Sequence, residues 1–235
     1  MKKNKDLILE VFFCLLLLIE CIALFLTKVH VYEVSRLLTV VLMFAYNYKG
    51  NKTDVFSLYV YVGLSLVFIA DVLTMFYYKE AFLYFTGLAT FTLSYIALSA
   101  IYYRCRQIPN RKKIPSTLLG WTIVQVILIG LYYFMSGISD YIMAAQGILH
   151  TIVLFIMMTW AYKANKREGN NRYFLVAAIL ILVANIFFAI VLIQNNQYAI
   201  MRVFVVFFHG ISILILSKAT NKYLKANLDN QLDFL

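Results

Sequence analysis

Residues 48–54 read YKGNKTD and residues 162–168 read YKANKRE. The two heptapeptides lie 114 positions apart, and the same shift aligns the flanking sequence without a gap. Met43 falls on Met157, Tyr59 on Tyr173, Val62 on Val176, Leu66 on Leu180 and Ala70 on Ala184. Apolar coincidences are cheap in an apolar chain, whereas a polar loop that recurs carries information. The shift therefore points to an internal duplication.

Working outward from these loops, the chain divides into eight apolar stretches, at about 7–29, 31–48, 55–78, 81–103, 115–135, 140–162, 172–193 and 198–217. At ~1.5 Å per helical residue, each can cross ~30 Å of hydrocarbon, the second and eighth only marginally. None alternates with the period of two that a barrel strand shows. The first stretch follows Lys2, Lys3 and Lys5 but lacks a small-residue cleavage site, so it reads as a retained first helix. The shift carries four stretches onto four, which makes the repeat parallel. The expected architecture is an all-α integral membrane protein of eight transmembrane helices. They form two parallel four-helix halves, about 7–104 and 115–218, within one domain over 1–217, followed by a polar tail at 218–235.

Composition agrees. Of the 235 residues 63% are hydrophobic and 14% charged, against ~45–50% and ~25% in soluble domains. A soluble core of this length would strand too many Leu, Phe and Tyr on its surface, which excludes an ordinary soluble enzyme. The net charge of +10 sits in short clusters between apolar runs, so it reads as topology and not as a nucleic-acid face. The N-terminus, the loops after the second, fourth and sixth stretches and the tail hold 17 of the 21 Lys and Arg. The other side holds Lys28, Arg36, Lys79 and Arg202. This bias places both termini in the cytoplasm, and without an organelle signal the expected membrane is the inner membrane of a bacterium. Cys14, Cys21 and Cys105 read as core filler, without disulfide or zinc spacing.

Polar groups inside the spans need a reason, because a charge at mid-bilayer costs at least ~2.5–3.5 kcal/mol. Asp71, in FIADVLTMF, stands seven residues before the end of the third stretch, ~10 Å from the surface at ~1.5 Å per residue. It is the candidate acid or coupling carboxyl. Asn185 lies eight residues from the end of its stretch, and Tyr95, His150 and His209 lie nearer the midplane. The 114-residue shift superposes Arg36 on His150, Asp71 on Asn185 and Tyr95 on His209. Arg36 and Arg202 begin the same ends of their stretches, and guanidinium suits an anionic phosphate there. Glu20 sits inside the first stretch without a charged equivalent and needs an Arg or His partner. Gln125, Gln146 and Ser94 read as interhelical hydrogen-bonding groups. Two His and one carboxylate without local spacing are a weak metal signal, so no metal and no cofactor is expected. The chain has no P-loop, GxSxG or HExxH, nor a GxGxxG following a strand.

These polar positions resemble those of the YhhN-type membrane proteins, which include the lysoplasmalogenases, over about residues 32–217. SRLLT places Arg36, Leu37, Leu38 and Thr39 where that family opens its second helix with a Lys-Pro-Leu-Thr-like element. Ala70-Asp71 stands for its Gly-Asp. Gly87, Phe91, Ser94 and Tyr95 stand for a Gly, an aromatic and a Ser-His-like pair, with Tyr in place of His. Ala184-Asn185 stands for a Ser-Asp pair and lacks its acid, and FFHGISILILS carries His209 in the last stretch. The resemblance implies hydrolysis of the vinyl ether bond of lysoplasmalogens, giving a fatty aldehyde and a glycerophospho-base.

That chemistry asks for a proton delivered to carbon and then for water. A protonated carboxylic acid suits the first step, with Asp71 the candidate; His209 or His150 suits the second. Arg36 is the candidate phosphate seat, with Arg202, His150 and Glu20 as further substrate-binding residues and Asn185 and Tyr95 beside the acid. The expected partner is a membrane lipid or lysophospholipid. Two other readings stay open: a proton- or ion-coupled transporter of small solutes or lipids with Asp71 as the coupling carboxyl, and a non-catalytic lipid-binding membrane protein.

Overall fold

The computed structural model describes residues 2–48, 55–75, 81–105, 141–164, 172–193 and 199–232, together with Gly120, Ile123, Val126 and Ile127. Its described elements are α-helices: α1 (Lys2–Phe25), α2 (Val29–Tyr48), α3 (Val55–Met75), α4 (Ala81–Cys105), α5 (Tyr141–Ala164), α6 (Arg172–Ile193) and α7 (Ala199–Leu232). Most of the two recurring heptapeptides (residues 49–54 and 165–168) and most of the fifth apolar stretch lie outside the described residues.

Five helices are long and apolar enough to cross a membrane, over Asp6–Phe25, Val29–Tyr46, Phe85–Tyr103, Ala145–Tyr162 and Ala199–Lys222. Two more carry shorter apolar runs, Leu58–Thr74 and Arg172–Phe188. The protein is thus an all-helical, multi-pass integral membrane protein. A helix meets its backbone hydrogen-bonding needs internally, which hydrocarbon demands. Buried hydroxyls follow the same rule: Thr74, Thr90 and Thr151 each bond the carbonyl four residues back, at 2.7–2.9 Å. The last helix outruns the expectation of a separate tail. No Gly or Pro interrupts the chain after Gly210, and α7 continues to Leu232.

The α1–α2 connection decides where the first polar residues meet. Lys28 N–H bonds the carbonyl of Ala23 at 2.7 Å and Thr27 N–H that of Leu24 at 3.2 Å. This paired capping pattern needs a left-handed residue, here Thr27 at φ 56°. The chain reverses within three residues, so α2 returns beside α1 and brings Arg36 alongside Glu20.

The helices pair as α1 with α2, α3 with α4 and α6 with α7, and α4 packs on α5 and α1 on α7. Phe13, Met43, Leu98, Tyr102, Phe174 and Ile181 fill the core. Leu7, Val11, Phe12, Leu15, Leu18 and Ile22 form an exposed stripe along α1, which in a bilayer is the surface that meets lipid. Gly87 permits a close approach at the site: a Cβ there would lie 2.6 Å from Thr74 Cγ2 and 3.3 Å from the carbonyl of Ala70. Any side chain would push α4 away from α3 next to Asp71.

Candidate functional site

Arg36 is the hub of the first polar centre. Its Nη2 donates to Asp71 Oδ1 at 2.9 Å and its Nη1 to Glu20 Oε2 at 3.3 Å. Thr39, one turn along α2 and on the same face, contacts Glu20 Oε1 and the carbonyl of Ser35. All three ionisable groups are removed from solvent: Glu20 is 0% exposed, Arg36 5% and Asp71 7%. One guanidinium therefore serves two carboxyls from two other helices, which ties α1, α2 and α3 together.

The second centre sits on α4, α5 and α6. His150 Nε2 lies 2.8 Å from Asn185 Oδ1, and His150 Nδ1 lies 2.9 Å from Thr92 Oγ1. Gln146 Nε2 donates to Thr92 Oγ1 at 2.8 Å, and Asn185 Nδ2 donates to the carbonyl of Ile181 at 2.8 Å. Tyr95 is within hydrogen-bonding reach of Asn185, and its ring centroid lies 5.3 Å from that of His150. His150 and Asn185 are only half-buried, because they face an opening.

That opening is a cavity of ≈ 480 Å³ onto which both centres look. Asp71, Arg36 and His209 border it from one side and Tyr95, His150 and Asn185 from the other. It extends past Phe91 and Phe188 to the α1–α2 turn and the start of α7, where Glu33 and Arg202 flank it. Its volume falls within the ~300–1,000 Å³ common to small-molecule sites. Behind Arg36, Asp71 and His209 lies a second void of ≈ 20 Å³, bordered also by Thr39, Met43 and Leu64. These three residues thus separate the large cavity from a space about the size of one water.

Three buried polar atoms in this layer find no hydrogen-bond partner among the described residues: Asp71 Oδ2, Arg36 Nε and His209 Nε2. The His209 ring is held edge-on against Phe91, centroids 5.6 Å apart. An orphaned buried acceptor beside an orphaned ring nitrogen is an arrangement suited to a ligand or to proton traffic. Among the described residues, no three His, Cys, Asp or Glu side chains gather so as to hold a metal ion.

The structure thus brings together all eight residues singled out in the sequence: seven border the large cavity and Glu20 lies behind it, on Arg36. It gives two of them a different setting. Both terminal nitrogens of Arg36 are engaged with carboxyls, so Arg36 serves as their counter-ion; Arg202 borders the cavity from the start of α7. Glu20 reaches the site through Arg36. Thr39 and Thr92 carry no charge and were not singled out by the price of burying charge. Thr39 closes the SRLLT element, while Thr92 is marked only by spacing; each stands three residues from a polar position on its own helix, Arg36 and Tyr95 respectively. His30 is outside the site, with a fully exposed ring 3.4 Å from Glu33. Gln125 lies outside the described residues. Compared with protein-family models, with curated proteins and with solved structures, the chain matches none.

Proposed function

We propose that the chain is a membrane-embedded hydrolase that cleaves the vinyl ether bond of lysoplasmalogen-type lipids and releases a fatty aldehyde. One observation carries the reading. Asp71 and His209 both border an apolar-walled cavity, and each keeps a buried polar atom, Oδ2 and Nε2, without a hydrogen-bond partner among the described residues. An amphiphile lying there would set its reactive double bond between an acid and a base. Asp71 would give a proton to the β-carbon of the vinyl ether, leaving an oxocarbenium ion. Water would then add to the α-carbon and lose a proton to His209. The hemiacetal would collapse to the aldehyde and the glyceryl alcohol. Arg202 at the mouth offers a phosphate a cation, and Tyr95 with Asn185 offers hydrogen bonds on the facing wall.

We also read the chain as eight spans in two parallel halves, with both termini in the cytoplasm of a bacterium. Support comes from contacts, since residues 114 apart play the same part. Arg36 on α2 meets Asp71 on α3, and their shifted counterparts His150 and Asn185 meet on α5 and α6. Tyr95 and His209, superposed by the same shift, each stand against the other half's pair.

The test is aldehyde release by purified protein given lysoplasmalogen, with Asp71→Asn alongside. General acid catalysis is worth ~10²–10⁴-fold, and Asp71→Asn should lose that much. Proton-linked solute uptake in proteoliposomes, without aldehyde from the wild type, would replace hydrolysis by transport. The observation that favours this second reading is the position of Arg36, Asp71 and His209 between a large and a small void.

A further inference from the structure

We propose that Glu20, Arg36 and Asp71 form a single proton-binding site that holds one shared proton, with Glu20 Oε1 as its resting place. Three observations converge on it. The first is a charge count. Two carboxyls and one guanidinium are buried together, and only with one added proton is the group neutral. The cost of isolating net charge in an apolar interior favours that composition.

The second is a hydrogen count. Thr39 Oγ1 lies in contact with two acceptors, the carbonyl of Ser35 at 2.9 Å and Glu20 Oε1, and a hydroxyl has one hydrogen to give. With Glu20 as a carboxylate, one of these contacts has no hydrogen between its oxygens. With a proton on Oε1 both are filled: Glu20 donates to Thr39, and Thr39 donates to Ser35. The third is bond length. Arg36 holds Asp71 at 2.9 Å and Glu20 at 3.3 Å, and the shorter contact marks the charged acceptor.

The other titratable groups facing the set are Cys21 on α1, Tyr32 on α2, Tyr95 on α4 and His209 on α7, with Glu33, His150 and Arg202 farther along the cavity. Of the near groups only a protonated His209 could supply a second cation, and the experiment below separates that case. The inference does not depend on the reaction. Hydrolysis would draw this proton through Asp71, and coupled transport would carry it across.

Infrared difference spectroscopy of the full-length protein in lipid, at neutral pH and with hydrogen–deuterium exchange, reads the proton directly. The wild type should show a carboxylic C=O band. Glu20→Gln and Asp71→Asn should each abolish it, because either leaves one carboxylate for one guanidinium. Thr39→Val should keep the band but move it to higher frequency, because the Glu20 O–H loses its acceptor. No carboxylic band in the wild type, as a charged His209 would give, overturns the proposal. So does a band that survives Glu20→Gln, or one that Thr39→Val leaves in place. Should either carboxyl variant fail to fold, the wild-type and Thr39→Val spectra still decide.

Discussion

The pairs at the two polar centres stand 114 positions apart in sequence and use opposite chemistry. Arg36 holds Asp71 at 2.9 Å, and His150 holds Asn185 at 2.8 Å. The first centre is ionic and buried at the cavity wall, with Glu20 and Thr39 packed behind it. The second is built of neutral-capable groups, half-buried, and braced by Thr92 and Gln146. A buried charge needs a complete set of partners because an unpaired ion in low dielectric is costly, whereas an amide and an imidazole tolerate a wet wall. The contrast teaches that one pairing geometry can be met by two chemistries, of which only one carries the acid.

Turnover should show the largest difference between the centres. Against the loss expected for Asp71→Asn, Asn185→Ala should cost no more than about tenfold, the worth of one hydrogen bond, in aldehyde release. Equal losses would mean that both centres do the chemistry. Stability comes next. Arg36→Met leaves two buried carboxyls without their cation and should cost ~3–5 kcal/mol. His150→Leu removes a neutral partner and should cost ~1–3 kcal/mol. Unfolding in detergent reads both, and a His150 variant as damaged as the Arg36 variant would erase the distinction. Gly87→Ala forces a methyl group against Thr74 and should cost ~1–3 kcal/mol. It should also lower turnover, because it moves α4 from α3 beside Asp71. The smallest effect belongs to Gln146→Leu, ~0.6 kcal/mol, the typical worth of an interhelical hydrogen bond in a membrane.

Much of the site was legible because burying polarity in hydrocarbon is expensive. Asp71, Arg36, Glu20, His150, Asn185 and His209 stand out against apolar neighbours for that reason alone; five of them border one cavity and Glu20 lies behind it on Arg36. Thr39 and Thr92 escaped because hydroxyls are cheap in helices, where the carbonyl four residues back accepts their hydrogen. The partner of Glu20 was open to either an Arg or a His, since the choice depends on how far α2 is rotated after the Thr27 turn. Arg36 read as a phosphate seat because a sequence displays its charge and not the two carboxyls that already engage it.

By itself, then, the sequence determined the class of this protein: runs of ~20 apolar residues leave a helix in lipid as the economical way to satisfy the backbone. The tertiary structure alone decided which polar groups touch. Pairing across helices depends on rotation about each axis and on the closeness of approach set at Gly87, and neither is written in the order of residues. Hence only the packed bundle makes Arg36 a counter-ion, Glu20 its second carboxyl, and Asp71 a residue of the cavity wall with one carboxyl oxygen left unpartnered among the described residues.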